Sequence, residues 1–362
     1  MRQDILSRFR DPDLCRGLIE RIASRLSRPF RFMEVCGTHT VAIFQSGLRS
    51  IFPQGLEHVT GPGCPVCVTH AREVAACIDL ALEPRVILAT FGDMLRVPDA
   101  RGRSLKTAKA QGADVRVCYA PLEALDMARR NPEREVVFLG IGFETTAPAV
   151  AATLKQARSS GLGNLSLLSC HKRVPPALHH LLRDARVEID GFLLPGHVST
   201  VIGARPYGFL AEEFGTPAVI AGFEPLDILQ SLDLLLEQRA CSEPRVAIQY
   251  ARAVSEEGNR KAQHVLEEVF EAQDGLWRGL GLIPESALAL NPSFAEFDAL
   301  RRFAMEWPEA EEPSGCRCGR VLQGLERPRD CALFGSACTP SSPVGPCMVS
   351  SEGSCAAAFH YG

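Results

Sequence analysis

The sequence predicts an α/β protein of two tandem Rossmann-like parallel-sheet units, closed by a mainly helical or irregular region built around a metal or iron–sulfur centre. Three observations predict this. Apolar, β-branched runs end repeatedly in glycine-bearing loops with helix-forming stretches after them: RVILATFGD at 85–93, EVVFLGIGFET at 135–145, LSLLSCHK at 165–172, IDGFLLPGH at 189–197 and PAVIAGFEP at 217–225. Near-continuous apolar strands alternating with helices are the pattern of parallel sheets covered on both faces. Gly-Phe-Glu recurs at 142–144 and 222–224, which suggests two similar units in succession. Residues 316–355 carry six of the 14 cysteines among glycines and prolines, with almost no long apolar run. Such a segment cannot close over a core of its own and needs a cross-link.

The elements follow in order. Apolar positions at helical spacing in 14–27 predict helices within 1–30. A short strand at 32–35 ends at Cys36-Gly37-Thr38-His39, and 40–48 can form a helix. A second strand, 56–60, runs into Gly61-Pro62-Gly63-Cys64-Pro65-Val66-Cys67, with a helix expected over 69–82. The five strand–loop runs come next. Long amphipathic helices are expected over 225–238 and 256–270, and the pattern loosens after Trp277. The expected divisions are 1–60 (helices and the CGTHT segment, packing with the C-terminal region), 61–155 and 156–245 (the two α/β units), and 246–362 (helical and cluster-binding).

Composition narrows the function. A chain of 362 residues is long enough for two or three domains. With 46% hydrophobic and 23% charged residues it has the make-up of a well-cored globular protein. Its 39 basic and 43 acidic residues give a net charge of -4. That balance, with 2 Trp and 4 Tyr, argues against nucleic acid as a partner. The N-terminus lacks the apolar run of a secretory signal, and no stretch has the 18 apolar residues of a membrane span. A cytoplasmic location is expected. In a reducing compartment, clustered cysteines are more often metal-binding or catalytic than disulfide-bonded.

Two thiol motifs lie near the N-terminus. Cys36 precedes a glycine that permits a tight turn, and Thr38 or Thr40 can cap the following helix. A thiol at a helix start faces unpaired amides, so its pKa is expected to fall. His39 can pair with it or serve as a base; a buried cysteine with an incidental histidine is the alternative. Cys64 and Cys67, three apart at a strand–helix junction, suit a redox dithiol or two ligands of one metal. With Cys36 they make three soft ligands for iron. Glu144 and His197 follow candidate strands and join the site at a second rank. In open α/β sheets ligands bind beyond the C-terminal strand ends, where all these residues fall. Cys15, Cys77, Cys118 and Cys241 read as small core residues. No glycine-rich loop matches a phosphate-binding or dinucleotide motif.

The tail cysteines are Cys316, Cys318, Cys331, Cys338, Cys347 and Cys355. Four thiolates satisfy either a [4Fe–4S] cluster or zinc, and spacing alone leaves both open.

The motifs CGTHT at 36–40, GPGCPVC at 61–67, GFETTAP at 142–148, PGHVS at 195–199 and the tail CRCGRVL…DCALFGSACTP…PVGPCMVSSEGSC together resemble the HypD family of hydrogenase formation proteins, over nearly the whole chain. The resemblance implies a [4Fe–4S] cluster on Cys316, Cys331, Cys338 and Cys355, with Cys318 and Cys347 as non-ligands. It implies a scaffold on which the Fe(CN)2CO unit of nickel–iron hydrogenase is built. Cys36 would be the iron ligand and Cys64 and Cys67 its redox-active companions. The implied partners are a small iron-carrying chaperone of the HypC type, a cyanide donor of the HypE type and the hydrogenase large-subunit precursor. Such a scaffold is transferase-like without being a turnover enzyme of a standard class. A stand-alone iron–sulfur or dithiol oxidoreductase, and a zinc-stabilised binding module, are the competing readings.

Overall fold

A computed structural model of the chain describes residues 9–362. The part of the expected N-terminal helical region before residue 9 lies outside them. The α/β class holds: two sheets, each wholly parallel, carry the apolar runs. The first contains β1 (Phe30–Glu34), β2 (Leu56–Thr60), β7 (Gly191–Pro195), β8 (Ala218–Ala221) and β9 (Val246–Ile248) in the order β2-β1-β7-β8-β9. The second contains β3 (Val86–Thr90), β4 (Asp114–Val117), β5 (Glu135–Gly140) and β6 (Leu165–Ser169) in the order β4-β3-β5-β6.

The sheets are nested, not tandem. Phe32 pairs with Gly191 and Glu34 with Leu193, so β1 sits beside a strand some 160 residues later, with β2 on its other edge. The whole second sheet is an insertion between β2 and β7. Strand pairing therefore cuts across the sequence divisions: β6, from 156–245, completes the sheet of β3–β5, and β1 and β2, from 1–60, join β7. Apolar runs identify strands but not their neighbours, because any buried parallel strand presents the same pattern.

Side chains alternate between faces at period two. Phe32, Leu193 and Val219 pack outward from the first sheet onto helices Pro12–Arg25 and Pro225–Cys241. Ile87, Val136 and Phe138 pack outward from the second onto helices Pro121–Arg130 and Ala147–Ser159. Their neighbours Met33, Phe192, Leu88 and Val137 face a shared inner core, which takes in Cys67, Trp277, Cys318 and Cys347. The two sheets and the cysteine-rich tail are thus one packed body.

The region after 246 is not purely helical or irregular. Strands β10 (Phe270–Trp277) and β11 (Gly281–Leu290) form an antiparallel hairpin, with a register shift between Gln273 and Gly275. That bulge breaks the alternation by which a hairpin is read from sequence. The hairpin is anchored by Trp277, fully buried, which donates its indole N–H to Ser286 Oγ at 2.8 Å and stacks on Phe143 with ring centres 6.0 Å apart. Among the described residues no helix is long and apolar enough to cross a membrane.

Candidate thiol cleft and cysteine cage

The C-terminal ends of strands from both sheets open onto one cavity of about 590 Å³. Cys36 follows β1, Gly63 follows β2, Phe91 follows β3, Cys118 follows β4, Phe143 follows β5 and His197 follows β7, and all line it. Two glycines bring the thiol motifs together. A Cβ on Gly63 would stand 2.1 Å from the Cys36 amide nitrogen, and one on Gly37 would stand 2.5 Å from Glu352 Cβ. Gly37 N–H donates to the Gly63 carbonyl at 2.9 Å. The glycines of CGTHT and GPGC are therefore close-approach positions, where a side chain would force the two loops and the tail apart.

Cys36 is the N-cap of helix Gly37–Gln45. The expected fall of its pKa does not hold. Burial pushes the thiol up to about 12, with the Glu352 carboxylate adding to the rise, and the facing amides of His39 and Thr38 only partly offset this. Desolvation and a like charge outweigh the helix start. Beneath it, Glu34 accepts the Cys36 N–H at 3.2 Å and the Thr40 hydroxyl at 2.6 Å. Burial holds the Glu34 carboxyl well above its ordinary range.

Sequence reading missed Glu352 and Asp93. Glu352 accepts the Thr38 hydroxyl at 2.8 Å, and Asp93 accepts the Ser350 hydroxyl at 3.0 Å. Both line the cleft, so the segment 350–352 ties the tail to the Cys36 loop. Nothing in the local sequence marks them, because each acts on a segment more than 250 residues away.

Cys64 and Cys67 form a disulfide, with Cα atoms 5.2 Å apart. Both are buried. Pro65 and Val66, between them, face the cleft. Cys64 Sγ also accepts the Cys67 N–H at 3.1 Å, which caps the short turn Pro65–Val68.

The three other candidates divide. His197 lines the cleft and stacks on Phe223 with ring centres 3.9 Å apart. His39 stacks on the same ring at 4.7 Å, but its Nε2 lies 2.9 Å from the Gly222 carbonyl. Burial holds its pKa down at about 4, so at neutral pH Nε2–H donates to that carbonyl. His39 thus packs beneath Phe223 with its Nε2 committed to the Gly222 carbonyl. Glu144 is buried and turned from the cavity, where it accepts the Val174 N–H at 3.0 Å. Phe223, in the second Gly-Phe-Glu, is the residue that joins the two histidines.

Burial raises the Glu144 carboxyl from 4.5 to about 7. The native state then holds this proton more tightly than the unfolded chain does. The resulting stability is full below pH about 4.5 and is lost as pH rises through about 7. Its upper size is roughly 3 kcal/mol. Unfolding free energy measured from pH 4.5 to 7.5 should fall more steeply for wild type than for Glu144→Gln, which keeps an acceptor for Val174. Parallel profiles would refute this account.

All six tail cysteines line one small cavity. A Cβ on Gly345 would come within 2.4 Å of Cys316 Sγ, and the Val344 N–H donates to Cys338 Sγ at 3.3 Å. Cys318 and Cys347 lie deepest, and the neighbouring Cys347 thiol holds Cys318 below its ordinary pKa. Among the described residues no three His, Cys, Asp or Glu side chains stand close enough to hold a single metal ion. A cubane cluster spreads its ligands over separate irons, so a cage of thiols around a cavity is the arrangement it needs. Of the cysteines read as core, Cys77 and Cys118 are buried, while Cys15 is half-buried and Cys241 is exposed.

A family model described as HypD, hydrogenase formation hypA family, matches residues 13–362. The chain belongs to the HypD family. It is 49% identical to a hydrogenase expression/formation protein HupD of Azotobacter chroococcum, over 98% of this chain and 96% of that one. It is 46% identical to the hydrogenase maturation factor HypD of Rhizobium leguminosarum, over 99% and 95%. It is 45% identical to that of Escherichia coli, over 98% and 96%. As a HypD-family member, the chain has its thiol cleft and its cysteine cage within the matched region.

Proposed function

We propose that this HypD-family chain is the scaffold on which the Fe(CN)2CO unit of nickel–iron hydrogenase is assembled, with iron held as cargo by Cys36. The observation that carries the reading is the meeting of Cys36 and the Cys64–Cys67 turn, backbone against backbone, at the mouth of a cleft formed by both sheets. A soft thiolate suits low-spin iron with strong-field ligands. Metal binding would displace the thiol proton, which offsets the high pKa of the free group.

Cyanide arrives as a thiocyanate on a partner of the HypE type. The dithiolate form of Cys64 and Cys67 supplies two electrons as their S–S bond forms. The partner's S–CN bond breaks, the cyanide carbon bonds to iron, and the partner's sulfur leaves as thiolate. The Cys64–Cys67 disulfide is the oxidised state of that pair. An external reducing protein would return it to the dithiol with two electrons and two protons. The HypC-type chaperone would dock over the cleft, where Tyr119 stands 89% exposed on the rim, and carry the finished unit to the large-subunit precursor.

The cage fits a [4Fe–4S] cluster, with Cys316, Cys331, Cys338 and Cys355 as its ligands. When bound, such a cluster supplies one-electron transfer. The chain's own part is to fold Gly345 against Cys316 and to aim the Val344 amide at Cys338.

Infrared spectra of the anaerobic complex with the chaperone should show CN and CO stretches. Their absence from wild type would overturn the scaffold reading. Alkylation after mild reduction tests the dithiol. Wild type should gain two reactive thiols, and Cys64→Ala or Cys67→Ala should gain none while keeping its full iron and sulfide content. A variant that still undergoes two-thiol cycling would remove Cys64 and Cys67 from the redox role.

A further inference from the structure

We propose that Arg278 is a positioning residue that sets the electron affinity of the tail centre, as a fixed buried cation between the Cys64–Cys67 turn and the cysteine cage. This rests on the cluster reading above.

Arg278 follows β10 in the hairpin turn and is one of the largest fully buried side chains among the described residues. Its backbone joins the disulfide turn directly. Arg278 N–H donates to the Val68 carbonyl at 2.9 Å, and Nε donates to the Thr69 carbonyl at 3.0 Å. On its other side the next residue, Gly279, lies against Gly319, where a Cβ would come within 2.2 Å of the Gly319 Cα. Gln323 closes this contact by donating its side-chain amide to the Gly279 carbonyl. Gly319 follows Cys318 in helix Cys318–Leu322. Arg278 is therefore held between the two sulfur groups by backbone contacts on both sides.

The acids around it are two. Glu312, half exposed, pairs with Nη1 and also accepts the Ala71 N–H, with His70 nearby. Glu73 is neutralised by the buried ammonium of Lys172. Neither Nη1 nor Nη2 makes a hydrogen bond among the described residues, so the Glu312 contact is a charge pairing only. Burial pushes the guanidinium below its ordinary pKa. The Gly279–Gly319 contact sets the neighbouring residue of this charge against the backbone next to Cys318, which lines the cage. An arginine placed only to fill space would be an expensive choice, since burying a charge costs several kcal/mol unless other charges offset it.

A cluster with four thiolates is anionic and gains one further negative charge on reduction. A fixed cation beside it favours the reduced form and raises the potential, in a low-dielectric setting where the interaction is least screened. Glu312, paired to the same guanidinium, weakens that effect. The two residues should therefore shift the potential in opposite directions.

The test uses the full chain, purified anaerobically, as wild type, Arg278→Met, Arg278→Lys and Glu312→Gln. Iron and sulfide are measured first, and the midpoint potential follows from an electron-paramagnetic-resonance redox titration. Arg278→Met should disfavour reduction at least tenfold, a fall of about 59 mV for a one-electron couple. Arg278→Lys should recover most of this, and Glu312→Gln should raise the midpoint above wild type. Equal potentials for wild type and an iron-replete Arg278→Met would overturn the inference, as would shifts of the same sign in Arg278→Met and Glu312→Gln. If Arg278→Met loses its iron, Glu312→Gln decides, and a midpoint that does not rise overturns it. A wild type without iron and sulfide fails at the first measurement. That result rejects the cluster reading itself, and this inference with it.

Discussion

Cys36→Ala is expected to abolish loading of the iron–cyanide–carbonyl unit while leaving the tail centre intact. Cys36 caps a helix at the mouth of the cleft, and its neighbours do not replace it. His39 is turned toward the Gly222 carbonyl, Glu352 accepts from Thr38, and Cys64 and Cys67 lie behind Pro65 and Val66. Losing the soft anchor should weaken retention of the cargo at least tenfold, or about 1.4 kcal/mol. In the anaerobic chaperone complex, CN and CO stretches should fall to background. Iron and sulfide of the tail, measured in the same samples, should stay at the wild-type level. Normal diatomic-ligand bands in the variant would show the central assignment to be wrong. Loss of the tail centre as well would mean that the two sulfur groups are structurally coupled. The contact of Glu352 with Gly37 makes that outcome physically meaningful.

The second large effect is in the tail. Replacing Cys316, Cys331, Cys338 or Cys355 by Ala should remove the iron–sulfur centre and loosen residues 316–355. Metal binding is part of folding in a segment with so little apolar area of its own. Cys318 and Cys347 belong to the same inner core as Trp277, so the loss should propagate inward. A destabilisation of about 3 kcal/mol or more is expected, or a fall in Tm of roughly 4 °C or more. Cys318→Ala and Cys347→Ala should keep about four irons per chain. They should lose only about 1–2 kcal/mol, for a small buried side chain. Iron analysis, thermal unfolding and limited proteolysis distinguish the two groups. Loss of iron from Cys318→Ala with retention in Cys331→Ala would reassign the ligand set.

The strands were the most legible part of the fold. Residues 56–60 form β2 as read, and the runs at 85–93, 135–145, 165–172, 189–197 and 217–225 each contain a strand. Buried parallel strands need continuous apolar sequence, so composition alone reveals them. The hairpin at 270–290 was not legible, because its bulge and exposed positions break the alternation. Helix 256–270 was read four residues too early, its first turn being replaced by a glycine turn at Gly258 before the Asn259 cap.

For the site, the sequence by itself determined which residue types and turns were present: a thiol before a glycine, two cysteines across a proline, six more in a glycine- and proline-rich tail. These depend on local spacing, which a linear chain displays. Tertiary structure alone decided their neighbours. It nested one sheet inside the other, committed His39 to the Gly222 carbonyl, turned Glu144 from the cleft, brought Phe223 between two histidines and placed Glu352 on Gly37. It also reversed the expected shift of the Cys36 thiol. A helix start is encoded within a few residues, whereas desolvation and the Glu352 charge come from packing across more than 300 residues of chain.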